Sequence, residues 1–253
     1  MKLLLKNATL LDEKSSFHNQ IKDVLIENGF LTQLEDHIET KGAKVINLKN
    51  LHISSGWFDP NVSFGEPGYE ERETLKNGLQ TAAKSGFTNI VLNPNTKPLT
   101  ETHSDVSHLL HSNKNQTTAL HISSVLTEQG KGNQMAPLLD IHKAGAVVFG
   151  DYKTSYNNPN LLRIALDYSQ SFGGLIQAYP MDKALSNNGQ MHEGIISTTL
   201  GLKGIPQVAE TTTLARDLQL LDYTQGKLHI PFISSAASLE IVRAAKKKGL
   251  NVS

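Results

Sequence analysis

The 253-residue chain contains no cysteine. That excludes disulfides and thiolate metal sites, and it suits a cytoplasmic protein. Neither sign of charge is in excess, because Lys plus Arg and Asp plus Glu both number 24. No net field draws the chain to nucleic acid or to an anionic membrane, so neither is expected as a partner. The one dense basic run, Lys246-Lys247-Lys248, ends a helical pattern, where cations complement the helix dipole. Long apolar runs are missing too. Leu3-Leu4-Leu5 is too short for a signal peptide, and nothing approaches the ~20 apolar residues of a membrane span.

What is present falls into two patterns. Residues 1–52 hold short β-prone runs, Leu3–Leu5, Ala8–Leu10, Asp23–Ile26, Phe30–Thr32 and Val45–Leu48, separated by polar or glycine turns. They predict half of a small β-sandwich. From residue 53 the pattern becomes strand, loop, helix, repeated. Strands are predicted over 53–58, 88–92, 119–126, 146–149, 175–179 and 228–233. Helices are predicted over 71–85, 103–112, 134–144, 160–171, 208–224 and 238–248, and Asn251-Val252 opens a further strand. Apolar strands alternating with helices, most of them closed by glycine, predict an α/β domain built on a parallel sheet. Six strand–helix units and the start of a seventh fall short of the eight that close a TIM-type barrel. The expectation is therefore an incomplete (β/α)₈ barrel over 53–253, truncated before its last units, in a fragment of a longer chain. A six-stranded open sheet, or a barrel completed by a partner, is the alternative.

The most informative stretch is Asp59-Pro60-Asn61-Val62-Ser63-Phe64-Gly65-Glu66-Pro67-Gly68-Tyr69. It resembles the Asp-x-His-x-His-Phe-Arg-Glu-Pro-Gly segment of the dihydroorotases, a branch of the amidohydrolases. Asn93-Pro94-Asn95-Thr96-Lys97-Pro98 is similar to that family's Met-Pro-Asn-Thr-Asn-Pro, in which an asparagine matching Asn95 contacts substrate. Ala144–Asp151 resembles a segment whose aspartate can bind metal. Gly189–Gly194, Leu200–Pro206, Glu210, Arg216-Asp217 and His229–Ser234 match further family segments in order. The resemblance implies the amidohydrolase barrel, zinc, and hydrolysis of a cyclic amide in pyrimidine biosynthesis.

The departures from the family concern its working residues. Its metal-binding histidines correspond to Asn61, Ser63, Gln177 and Phe232, and its carboxylate-gripping arginine corresponds to Gly65. Zinc takes imidazole, thiolate or carboxylate, and a catalytic site needs three such ligands. Only Asp151 remains of that kind, so no metal or other cofactor is expected to bind, and the family's zinc-activated water is lost. Losing the arginine removes the bidentate anchor for a carboxylate. Asn61, Ser63, Gly65, Asn95, Asp151, Gln177 and Phe232 are thus expected to line a vestigial pocket without catalytic residues. His108 and His111, three apart on a predicted helix, are expected to face solvent rather than metal. His121 and His229 fall within strands, where a hydrogen-bonded core or lining role is expected, and His192 is not expected to line the pocket.

Three functions follow as expectations. The first is a pseudoenzyme of the dihydroorotase type, structural or regulatory. Its partner by resemblance is aspartate carbamoyltransferase, and a homo-oligomer is also expected. The second is an active cyclic-amide hydrolase with an unusual site. The third is a ligand-binding module in which Asn61, Asn95, Asp151 and Gln177 supply hydrogen bonds and Tyr179 and Phe232 an apolar wall.

Overall fold

The structure is a computed structural model that describes residues 1–253. It divides into two compact units, Met1–Trp57 and Phe58–Ser253.

The first unit is a five-stranded sheet. It contains β1 (Lys2–Leu11), β2 (Ile21–Glu27), β3 (Phe30–Glu35), β4 (Lys44–Ile46) and β5 (His52–Ser54). The order is β3-β2-β1-β4, and β5 pairs with the far end of β1. The two runs predicted over 3–5 and 8–10 form one strand with a register shift between Leu5 and Ala8. At that irregularity Asn7 has φ +53°, and its N–H donates to the buried Asp23 carboxylate at 2.9 Å. Asn28-Gly29, both at positive φ, makes the turn between β2 and β3, as an Asn-Gly pair between β-prone runs should. Leu4, Leu25 and Ile38 form the unit's small core.

The second unit begins its regular structure with β6 (Trp57–Val62). It continues through α1 (Leu75–Lys84), β7 (Phe87–Leu92), α2 (His103–Ser112), β8 (Ala119–Ser124), α3 (Leu138–Lys143) and β9 (Ala146–Phe149). Then come α4 (Pro159–Ser169), β10 (Leu175–Gln177), α5 (Lys183–Ser186), β11 (Met191–His192) and α6 (Ile195–Leu200). The unit ends with β12 (Gly204–Ile205), α7 (Val208–Thr224), β13 (Leu228–His229) and α8 (Ala236–Lys247). The main sheet has six strands in the order β13-β10-β9-β8-β7-β6, and β11 and β12 form a separate two-stranded ribbon. Val252 bridges Leu228 in parallel, which is the opening of the seventh strand. The curled parallel sheet is the expected partial barrel.

The predicted strand over 53–58 is two strands. Around Gly56 the chain leaves the first sheet, where Ile53 pairs with Leu10, and enters the second as β6. Asp59, Pro60 and Asn61 therefore lie on a strand rather than after one. The core lies between sheet and helices, where Leu92, Ile122, Phe149, Ile176 and Leu228 meet apolar residues of α2, α4 and α7. Burial of such side chains contributes about 1.5–3 kcal/mol each. Helix starts are fixed locally. Thr102 and Asp105 form a capping box on α2, Pro159 occupies the first turn of α4, and the Ser235 hydroxyl accepts from Ser238 N–H on α8.

Candidate functional site

The carboxyl ends of parallel strands are where open α/β sheets place their ligands. Here four of those ends share one pattern. Leu92-Asn93, Ile122-Ser123, Ile176-Gln177 and Leu228-His229 each set an apolar residue in the helix-facing core and a polar residue next to it. Successive side chains of a strand point to opposite faces, so the polar member turns away from the helices. Each of the four carries a buried side-chain atom without a hydrogen-bond partner: Asn93 Oδ1, Ser123 Oγ, Gln177 Oε1 and His229 Nε2. Asn61 Nδ2 on β6 is a fifth. The register aligns them, since Gln177 pairs with His229, and Asn93 and Ser123 each lie one residue beyond the pair Leu92–Ile122.

At the end of β6 the side chains of Asn61 and Ser63 take part in neutral cross-links. Asn93 Nδ2 donates a short hydrogen bond to Asn61 Oδ1, and Asn95 Nδ2 donates to Ser63 Oγ at 2.7 Å. Two rungs thus tie the end of β6 to the end of β7. Asn61 and Ser63 line a cleft with Phe64 and Gly78 of α1, whereas Asn95 and Asp151 line a separate small hollow with Leu99 and Tyr152. Gln177 and Phe232 line neither of these two hollows. Phe232 instead packs edge-on against Tyr179, with ring centroids 6.1 Å apart. Lys153 Nζ lies 5.6 Å from the Phe232 ring and 5.2 Å from that of Tyr152.

Asp151 is buried and fully engaged. Its Oδ1 accepts from Leu126 N at 2.9 Å and Thr127 N at 3.1 Å, while Oδ2 accepts a short bond from the Thr127 hydroxyl. Burial raises its pKa, and the three donors oppose that shift. Its own N–H donates to the Tyr156 hydroxyl at 3.0 Å, and that hydroxyl donates to the Gln177 carbonyl. Tyr156 is held far above the ordinary phenol range, first by burial and then by the Asp151 charge. The Asp151–Tyr156–Gln177 chain braces β9 against β10.

The residues flanking the turn from β6 toward α1 each have a structural task. Asp59 Oδ1 accepts Asn61 N–H at 3.0 Å, and Glu66 Oε2 accepts Leu75 N–H at 2.6 Å at the start of α1. Phe64 lies against Gly78, where a Cβ would approach its ring to 2.6 Å. Gly68, at φ +94°, passes so close to Lys97 that a Cβ would sit 2.2 Å from its carbonyl oxygen.

This donor set does not fit zinc. Asn61, Ser63, Gln177 and Phe232 offer carboxamide, hydroxyl and phenyl groups rather than imidazole or carboxylate, and the oxygens of Asp151 already accept three bonds. No group of three or more His, Asp or Glu side chains converges elsewhere. His108, His111 and His192 are exposed. His121 bonds the Asn89 side chain at 3.0 Å, and His229 Nδ1 lies 2.9 Å from Ser253 Oγ. Burial lowers the His229 pKa, which favours the neutral ring. Sequence reasoning missed Asn93 and Ser123. Their signal is a polar residue directly after the apolar residue that ends each strand's core run.

Residues 52–238 match the family model described as dihydro-orotase-like. The chain belongs to the dihydro-orotase-like family. This dihydro-orotase-like chain is 36% identical over 252 residues to the dihydroorotase of Pelotomaculum thermopropionicum, covering all of the chain and 59% of that relative. It is 34% identical to the dihydroorotase of Syntrophus aciditrophicus, again over its full length and 60% of that protein. The dihydro-orotase-like chain thus spans about three-fifths of these relatives. Among solved structures, the L-hydantoinase of Arthrobacter aurescens superposes with a TM-score of 0.78 at 17% identity, covering 99% of this chain and 57% of that one. A dihydropyrimidinase from Brevibacillus agri NCHU1002 gives 0.74, also at 17% identity, over 100% and 56%. These likenesses concern the fold. No helix of the dihydro-orotase-like chain is long and apolar enough to cross a membrane.

Proposed function

We propose that this dihydro-orotase-like chain has lost metal-dependent hydrolysis and serves pyrimidine biosynthesis as a structural or regulatory protein. Its partner class is aspartate carbamoyltransferase. The observation that carries the reading is the substitution of hydrogen-bonded rungs, Asn93–Asn61 and Asn95–Ser63, for a ligand set. A catalytic zinc needs three donors and an open position. Here the one remaining carboxylate is occupied by Leu126 and Thr127. The test is metal analysis after equilibration with zinc, together with a dihydroorotate hydrolysis assay. Substoichiometric metal and no turnover are expected, and stoichiometric zinc with turnover would refute the reading. A sedimentation shift on mixing with a carbamoyltransferase supports the partner. No complex at micromolar concentrations counts against it.

A second reading is supported by the unpaired buried atoms of Asn93, Ser123 and Gln177. A buried polar group left without a partner costs ~1–3 kcal/mol, which a small uncharged ligand could recover. Raised thermal stability with a neutral pyrimidine intermediate would favour this role over a purely structural one.

A further inference from the structure

Asparagine is followed by glycine at three places in the chain, 28–29, 77–78 and 188–189. With no Cβ on the second residue, its backbone nitrogen can approach the carboxamide carbon of the first. Whether it does so depends on whether that nitrogen is already engaged and whether the local backbone can turn. The fold treats the three pairs differently.

Asn77-Gly78 lies inside α1. Gly78 N–H donates to the Thr74 carbonyl at 2.9 Å, and the Asn77 carboxamide donates to the two Glu73 oxygens at 3.0 and 3.1 Å. Gly78 is buried against Phe64 as well. Asn188-Gly189 lies in the loop from α5 to β11, and Asn188 is exposed. Gly189 N–H, however, donates to the Ser186 carbonyl at 2.7 Å. Its backbone is pressed against Gly204 and Ile205, where a Cβ would sit 2.9 Å from the carbonyl oxygen of the first and 2.4 Å from the side chain of the second. Neither nitrogen can swing toward its asparagine without breaking a hydrogen bond and the packing around it.

Asn28-Gly29 forms the tip of the β2–β3 hairpin, and both residues are exposed. Gly29 N–H donates to no group of the chain, and a Cβ on Gly29 would have nothing within 4 Å. Asn28 N–H donates to the Met1 carbonyl at 3.0 Å, and Asn28 Oδ1 accepts from the Met1 nitrogen at 3.3 Å. That bond to Oδ1 stabilises the negative charge that builds on the oxygen when the carboxamide carbon is attacked. We propose that Asn28 is a self-modification site, at which the Gly29 nitrogen attacks Asn28 Cγ and the chain converts its own carboxamide to a carboxylate. The N–Cγ bond forms, the Cγ–Nδ2 bond breaks, and the departing nitrogen takes the Gly29 proton and leaves as ammonia. A five-membered imide remains. One water opens it at either carbonyl, giving aspartate or isoaspartate, and no redox partner is needed. The attack requires rotation about the Asn28 Cα–C bond, a motion confined to the two-residue tip.

The product adds one negative charge to a chain balanced at 24 of each sign. The isoaspartyl form also puts one more carbon into the main chain of a two-residue loop whose twist matches its strands. That loosens the pairing of Glu27 with Phe30, so the change falls on β3, the edge strand of the first sheet. The older a molecule is, the larger the fraction that carries this mark.

The test is incubation of the folded 253-residue chain at mildly alkaline pH, where the attacking amide loses its proton more readily. Peptide mapping by mass spectrometry, with isoaspartate detected by enzymatic methyl transfer, follows each pair. Residue 28 should convert at least about tenfold faster than residues 77 and 188 in the folded chain. In the chain unfolded by guanidinium the three rates should converge to within about threefold, because the fold no longer distinguishes them. Asn28→Gln should remove the first acidic isoform to appear, with circular dichroism and thermal melts unchanged. Amides of residues 30–35 should exchange faster in the purified isoaspartyl form than in the aspartyl form. Conversion of Asn77 or Asn188 as fast as Asn28 in the folded chain overturns the proposal. So does protection of Asn28 by folding as strong as that of the other two, or an acidic isoform that persists in Asn28→Gln. Equal exchange of β3 in the two forms would refute the loosened pairing.

Discussion

Gly65 has a backbone conformation that leaves no room for a side chain. Its φ is +127°, a region that L side chains rarely adopt, and a Cβ there would sit 2.5 Å from the Tyr69 carbonyl oxygen. The turn from Phe64 into the Glu66 cap has therefore settled into a geometry that only glycine fits. Gly65→Arg should lower the free energy of unfolding by about 1–3 kcal/mol in urea denaturation, without creating a carboxylate site. Unchanged stability would mean the turn adapts freely. Asp217 supplies a residue-scale prediction of a different kind. Its Oδ1 accepts two bonds from Arg216 at 2.7 and 2.8 Å, but Oδ2 is buried without a partner. Burial pushes its pKa up to about 6 against the pull of Arg216. A carboxyl with a raised folded pKa favours the native state while protonated. Its contribution is full below the unfolded pKa near 4 and is lost as pH rises to about 6. Asp217→Asn removes that titration. The stability of the variant minus that of wild type should grow by roughly 2–3 kcal/mol between pH 4 and pH 7. A difference that stays flat across that range would show the carboxyl to be ordinary.

At the scale of elements, loops that look irregular are held by single side chains. Glu210 on α7 accepts from Ser234 N at 2.9 Å and Ser234 Oγ at 2.6 Å, and from Ser235 N and Oγ at 3.2 Å. One carboxylate thus fastens the loop after β13 and the cap of α8 to α7. Glu210→Gln places an NH₂ against two of those donors. It should cost about 2–3 kcal/mol in denaturant unfolding and speed amide exchange selectively over residues 230–236. Loss of stability without local exchange would refute the clamp. Such contacts also explain what the sequence conveys about elements. The bounds of α2, α7 and β9 are legible because Thr102, the glycine after α7 and the glycines flanking β9 punctuate them. The helix predicted from residue 71 begins at Leu75, because the Thr74 hydroxyl and the Glu66 carboxylate both cap it there. The strands predicted over 175–179 and 228–233 are shorter, and the residues beyond them turn into loops such as the one Glu210 holds. At the site, the lack of imidazole at positions 61, 63, 177 and 232 is plain in the residues themselves. The alignment of Asn93 and Ser123 is not, because register between strands distant in sequence sets it.

For the large sheet as a whole, the two edges differ. At one edge β13 is flanked by residues 251–253. Leu228 N donates to Asn251 O at 3.0 Å, Ile230 N to Ser253 O at 2.9 Å, and Ser253 N to Leu228 O at 3.0 Å. At the other edge β6 pairs with β7 alone. An edge strand offers unpaired backbone groups to any passing strand, and proteins blunt it by devices such as proline. Pro60 sits within β6 and removes one donor, while Phe58 beside it is 56% exposed. Strand β8, flanked by β7 and β9 and carrying the fully buried Ile122, can open only with the body of the sheet. Hydrogen exchange should therefore grade across the sheet. Amides of β6 should exchange at least about a hundredfold faster than those of β8, since edge backbone opens locally and central backbone only with larger units. The same grading predicts that aggregation, where it occurs, starts at β6, and that a charge there, Phe58→Lys, slows it without lowering stability by more than ~0.5 kcal/mol. Equal protection of β6 and β8 would require a strand or another molecule on that edge, and the sheet would then not end at β6.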